Sequence, residues 1–172
     1  MTTIVTSSMG RLEHLKQTLP TWLEHTDFRV LVVDYACPDG TAAWIDELGS
    51  PRVRALRAVD HVQLERSDSG DAIFSKPMAL NVALHEFWDE RLVLLDADTI
   101  MPSSVFGTVS AALNGNRFLV ADPADATRDL TGVLAVSAAD LIAIGGYDVG
   151  MRGWGAEDLD VRLRLNFKGL SP

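Results

Sequence analysis

Asp96 and Asp98 flank Ala97 directly after the apolar run Leu92 to Leu95. In an extended segment residues i and i+2 project to the same side, so both carboxylates could face one hard cation. Two acids rarely saturate Mg²⁺ or Mn²⁺, and diphosphate oxygens and waters would complete the shell. A second acidic group, Glu157, Asp158 and Asp160, follows Gly153, Trp154 and Gly155. Acids at a helix start feel the positive end of the dipole and stay ionised, as a general base must. A tryptophan between two glycines offers a flat apolar face of the kind that stacks on a sugar ring. Singly, each feature is ordinary: an Asp-x-Asp triplet is often a solvated turn, and acids often begin helices for stability alone. Placement is what points to a site.

The elements that must position these residues are short β-branched runs alternating with helix-period segments, the pattern of βαβ units building a mostly parallel sheet. Strands are predicted at Thr3 to Thr6, Val30 to Val33, Val53 to Ala58, Leu92 to Leu95, Phe118 to Ala121 and Gly132 to Val136. Leu12, Leu15, Leu19, Trp22 and Leu23 recur at helical spacing, with Pro20 expected to bend or stop that helix. Trp44, Ile45 and Leu48 mark a second helix, and Leu80, Ala83, Leu84 and Phe87 one face of a third. A helix near Ser103 to Leu113 follows. A short one is capped by Ser137 and stopped by Gly145 and Gly146, and the last runs from about Glu157 to Phe167. Ligands in open α/β sheets bind outside the carboxyl ends of the strands, where Asp96 and Asp98 fall. Five glycines between Gly145 and Gly155 predict a segment more mobile than the sheet, ordered by ligand.

At 172 residues, 47% apolar and 23% charged, the chain reads as one soluble domain over 1–172. A net charge of -9 disfavours a sequence-independent grip on nucleic acid or anionic lipid. No apolar run has the roughly 20 residues of a transmembrane segment, and the N-terminus lacks signal-peptide order, so the chain reads as cytoplasmic. Cys37 is the single cysteine, which suits a reducing compartment and reads as a bystander.

Gly145 to Asp160, GGYDVGMRGWGAEDLD, resembles the acceptor-side motif of galactosyltransferase-type GT-A enzymes. TSSMGRLEHLKQTLP at Thr6 to Pro20, VVDYACPDGT at Val32 to Thr41, KPMALNVAL at Lys76 to Leu84 and LLDAD at Leu94 to Asp98 look like the successive donor-side motifs of family 2 glycosyltransferases, in the family's order. The resemblance implies a Rossmann-like GT-A α/β fold, its mostly parallel central sheet flanked by helices. It also implies Mn²⁺ or Mg²⁺, and a nucleotide-sugar donor, a UDP-sugar, whose sugar passes to a glycan or other hydroxyl acceptor.

Carried across by position, the resemblance sets Thr6 and Ser7 against the nucleotide, Asp34 on its base or ribose, and Lys76 near the donor or its diphosphate. Asp96 would face the ribose or metal, and Asp98 would hold the metal. Trp154, Gly155 and Glu157 would contact the acceptor, and Asp158 would be the catalytic base of an inverting transfer. The chain departs from the galactosyltransferase pattern in lacking a histidine after the acidic motif, since His14, His25, His61 and His85 all precede Asp96. Two other readings stay open: a sugar nucleotidyltransferase, and a nucleotide-sugar or glycan binding module without turnover.

Overall fold

The computed structural model describes residues 2–87, 90–113, 115–122, 130, 132–151 and 156–172. Among them, β1 (Thr2–Ser8), β2 (Phe28–Asp34), β3 (Val53–Arg57), β4 (Arg91–Leu94), β5 (Leu119–Val120) and β6 (Leu134–Ser137) form a sheet in the order β3-β2-β1-β4-β6-β5. β3, β2, β1 and β4 are parallel neighbours, whereas β6 runs antiparallel to both β4 and β5. The reversal of β6 sends its beginning, not its end, to the carboxyl edge of β4.

The helices are α1 (Leu12–Leu23), α2 (Thr41–Leu48), α3 (Lys76–Leu84), α4 (Ser103–Ala112), α5 (Ala138–Ala143) and α6 (Glu157–Phe167), with a 3₁₀ turn at Ala58–Asp60. Two buried layers show how the strand period assigns them. Val5, Leu31, Val33, Leu92 and Leu94 point to the face covered by α3, α5 and α6. Ile4, Val30, Val32, Val93 and Leu95 point to the opposite face, covered by α1, α2 and α4. Successive side chains alternate across a strand, so apolar runs without polar interruption are what a sheet covered on both faces requires. No helix among the described residues is long and apolar enough to cross a membrane.

Two expectations about β1 and α1 change. The first strand continues two residues past Thr6, because Ser7 and Ser8 keep pairing with Val33 and Asp34. Pro20 does not end α1, which runs to Leu23. Tertiary anchors outweigh the lost backbone bond: the Trp22 indole donates to Thr99 O at 3.1 Å, and the Thr18 hydroxyl to Ala97 O at 2.8 Å. Both bonds hold α1 against the chain leaving β4, next to Asp96 and Asp98.

Candidate active site

Five pieces of chain meet at the carboxyl edge of the sheet: the ends of β1 and β2, the turn after β4, and the first turns of α3 and α6. Ser75 caps α3, accepting from Met78 N at 3.3 Å, and Pro77 sits in the first turn where a missing N–H costs nothing. Lys76 therefore starts the helix, and its side chain is only 14% exposed.

Lys76 Nζ lies 2.9 Å from Asp96 Oδ1, 3.1 Å from Asp158 Oδ2 and 3.9 Å from Glu157 Oε1. One ammonium thus joins the acid after β4 to the two acids that begin α6. Burial opposes its charge, but Asp158 and Asp96 outweigh that and hold its pKa above the ordinary lysine value. Burial pushes the Asp158 carboxyl upward, Lys76 pulls it back, and Glu157 and Asp96 add to the rise, so the net shift is upward. Asp158 Oδ1 is buried and without a hydrogen-bond partner among the described residues. Asp160 points elsewhere, accepting from Arg164 Nε at 2.8 Å.

Gly132 belongs to this cluster, and the sequence reading assigned it no role beyond starting a strand. β6 begins at Leu134, two residues later than the sequence predicts, and Gly132 lies in the turn before it, close to Asp96. A Cβ on Gly132 would lie 3.0 Å from Asp96 Oδ2, 3.5 Å from Asp158 Oδ2 and 3.6 Å from Lys76 Nζ. The backbone approaches the charged group so closely that a Cβ would force Asp96 to give by a few tenths of an ångström. The sequence signal was a glycine at the start of a strand, which often marks such an approach.

The donor-side residues are distributed as follows. Thr6 is fully buried within β1, and its hydroxyl has no hydrogen-bond partner among the described residues. Ser7 is buried at the next position. Both oxygens of the buried Asp34 accept backbone N–H groups, from Cys37 at 2.8 Å and Ala42 at 3.0 Å, which fixes the turn between β2 and α2. Cys37 and Asp39 tie that turn to the end of β1: Gly10 N donates to Cys37 Sγ at 3.0 Å, and Leu12 N to Asp39 Oδ2 at 2.8 Å. Burial raises the Asp39 pKa, but the bonds from Cys37, Leu12 and Thr41 bring it below the ordinary value.

Asp98 is the open acid, 47% exposed, with Arg11 Nη1 3.8 Å away. Among the described residues no three His, Cys, Asp or Glu side chains gather as a metal-holding group. Asp96 already has an ammonium partner. The described residues thus offer no closed metal shell; an accessible hard carboxylate fits a divalent ion whose remaining ligands are diphosphate oxygens and water. Charge supports that fit. Among the described residues, Asp98 pairs with Arg11, and Asp96, Glu157 and Asp158 share Lys76, an acid-rich edge that an anionic diphosphate would approach poorly alone.

Trp154 and Gly155, expected on the acceptor side, lie with Gly153 outside the described residues. The start of the glycine segment is described and is fastened. Asn81 Nδ2 donates to Tyr147 O at 2.8 Å, and Tyr147 N donates to Asn81 Oδ1 at 2.7 Å. The Tyr147 ring is buried, and its hydroxyl is held well above the usual phenol value by burial and by the charges of Asp158 and Asp96.

Residues 122–171 match the family described as the N-terminal domain of galactosyltransferase, a stretch that includes Gly132, Glu157 and Asp158. No curated protein matches the sequence significantly. The structure is similar to S. aureus TarS, at 15% identity and a TM-score of 0.64 over 95% of this chain and 54% of that one. It is similar to a Drosophila β1,4-galactosyltransferase 7 variant in complex with manganese, UDP-Gal and xylobiose, at 14% identity and TM-score 0.59 over 99% of this chain and 62% of that one. It is also similar to 4-diphosphocytidyl-2C-methyl-D-erythritol synthase, at 13% identity and TM-score 0.59 over 99% of this chain and 86% of that one. The chain has the GT-A fold of glycosyltransferases, an α/β sheet flanked by helices. Chemistry is not set by the fold alone.

Proposed function

We propose that this chain is a glycosyltransferase that moves a sugar from a nucleotide-sugar donor, a UDP-sugar, to a hydroxyl acceptor with inversion. The observation that carries the reading is the Lys76 ammonium held between Asp96 on the sheet edge and Asp158 on α6. It lies partly within the stretch matching the galactosyltransferase domain.

In this reading the donor's nucleotide rests on Thr6, Ser7 and the turn held by Asp34, with Lys76 and Asp96 near its diphosphate and ribose. Asp98, with Asp96, would hold Mn²⁺ or Mg²⁺. When bound, such an ion neutralises charge on the departing nucleoside diphosphate. Trp154, Gly155 and Glu157 receive the acceptor. The acceptor oxygen forms a bond to the anomeric carbon as the bond from that carbon to the diphosphate oxygen breaks. The electron pair leaves with the diphosphate, and the hydroxyl proton passes to the Asp158 carboxylate. An upward-shifted pKa makes Asp158 a better proton acceptor than an exposed aspartate, while Lys76 keeps it ionised and oriented.

A panel of nucleotide sugars and sugar acceptors, assayed with and without Mn²⁺, tests the reading. Free nucleoside diphosphate together with a glycosylated acceptor is the expected result. Release of pyrophosphate would assign a nucleotidyltransferase instead, and binding without turnover would assign a binding module.

A further inference from the structure

We propose that Asn81 is a positioning residue that sets the spacing between Lys76 and Asp158; the proposal rests on the glycosyl-transfer reading of Asp158. Lys76 and Asp158 sit in the first turns of two separate helices, and their pairing needs those turns held in one relative position. The turn between α5 and α6 supplies the connection. Asn81, on α3, makes two reciprocal amide bonds with the Tyr147 backbone, as a strand partner would. Arg164, on α6, donates from Nη1 to Ile144 O at 2.8 Å and to Gly146 O at 2.7 Å, while Asp160 holds its guanidinium.

The turn is therefore fastened to α3 on one side and to α6 on the other. Gly146 makes this possible. Its φ is +70°, and a Cβ there would lie 2.5 Å from Asn81 Oδ1 and 3.0 Å from Leu84 Cδ1. The buried Tyr147 ring packs into the same apolar layer as Leu80, Leu84, Val161 and Leu165, so the two helices and the turn share one packed core. Asn81 is five residues after Lys76, and Arg164 six after Asp158. At ~1.5 Å rise per residue, the fastening is about 7–9 Å along each axis from the acidic cluster. A tilt released at the turn is carried to the Lys76–Asp158 contact, where a misplacement of about 1 Å can cost on the order of 10²-fold in rate.

A stability role alone would make Asn81 equally important whichever residue occupied position 158, which a double-mutant cycle separates. Asn81→Ala should lower kcat by about 10- to 100-fold, yet lower it by less than about twofold in the Asp158→Asn background, whereas any change in donor affinity through Lys76 should be the same in both. Asn81→Ser, which retains a polar group, serves where the alanine variant folds poorly. Equal loss of kcat in both backgrounds overturns the proposal. The ¹⁵N resonance of Lys76 Nζ gives a readout that needs no turnover, and it should shift in either Asn81 variant. An unchanged resonance overturns the positioning role. Absence of transfer by the unmodified protein, with the resonance shifting as expected, overturns the glycosyl-transfer reading and leaves the positioning of Lys76 standing.

Discussion

Lys76 Nζ and Asp158 Oδ2 are 3.1 Å apart across 82 residues of sequence, joining the first turn of α3 to the first turn of α6. Two helix N-termini that converge present like partial charges to each other, and Lys76 adds a full positive charge. Asp96, Glu157 and Asp158 more than offset this, so the cluster needs the lysine as much as the lysine needs the acids.

Replacing that lysine should therefore be costly in a pH-dependent way. Lys76→Met strands buried carboxylates, and at about neutral pH it should destabilise the fold by roughly 3–5 kcal/mol. The Asp158 pKa, already raised by burial, rises further without the ammonium. The folded state then binds a proton that the unfolded state releases, so stability is lost as pH rises through the carboxylate range and recovered on acidification. Urea unfolding near pH 7 and about pH 5 checks this, and an equal penalty at both would contradict it. In the unmodified protein the Lys76 pKa is raised. Its stabilisation is complete below the ordinary lysine value and disappears as pH climbs through the folded value.

Asp158→Asn should bind donor as well as the unmodified protein and turn over about 10²- to 10⁴-fold more slowly. Asp160→Asn should lose far less transfer than Asp158→Asn, because Asp160 accepts from Arg164 and reaches the site only through the turn that Arg164 holds. Since Asp158 works deprotonated, kcat/KM should increase with pH through a value above that of an ordinary aspartate. Transfer retained in Asp158→Asn but lost in Asp160→Asn would move the base to Asp160.

Asp98 is half exposed, with Arg11 3.8 Å away, so Asp98→Ala should melt like the unmodified protein. It should lose the part of donor affinity that depends on Mn²⁺. Calorimetric titration of donor with and without the ion measures both, and identical affinities in variant and parent would remove the metal role. Asp96→Ala should weaken binding in the absence of metal as well, because it also frees Lys76 from its 2.9 Å partner.

Gly132→Ala would place a methyl 3.0 Å from Asp96 Oδ2, closer than side chains ordinarily pack. Asp96 must yield by a few tenths of an ångström, and with it the Lys76 contact. Donor affinity should fall several-fold, on the order of 1 kcal/mol, and Gly132→Val should lose more. Donor titration of the two variants decides it; unimpaired binding in the valine variant would mean that the floor of the site lies elsewhere.

Much of the scaffold is written locally. The run Leu92 to Leu95 is uniformly apolar, so it had to be a strand covered on both faces, and parallel topology put Asp96 and Asp98 at its ligand edge. The first strand was read two residues short because Ser7 and Ser8 have no apolar signature; only pairing with β2 extends it. Pro20 was overestimated as a breaker, since the Trp22–Thr99 bond that carries α1 past it lies 77 residues away in the chain.

The acids Glu157 and Asp158 announce themselves at the head of a helix through residue type and spacing, and so do Asp96 and Asp98 after their strand. Sequence pattern determines which residues carry charge and which backbone presents them, because propensity and periodicity act over a few residues. The tertiary structure decided that Lys76 is their shared counter-ion, that Gly132 faces Asp96, and that Asn81 holds Tyr147. Each of these is a contact between residues far apart in the chain, set by the reversal of β6 and by the packing of α3 and α6 on one face of the sheet. Such distances of a few ångströms arise only when several buried layers close together.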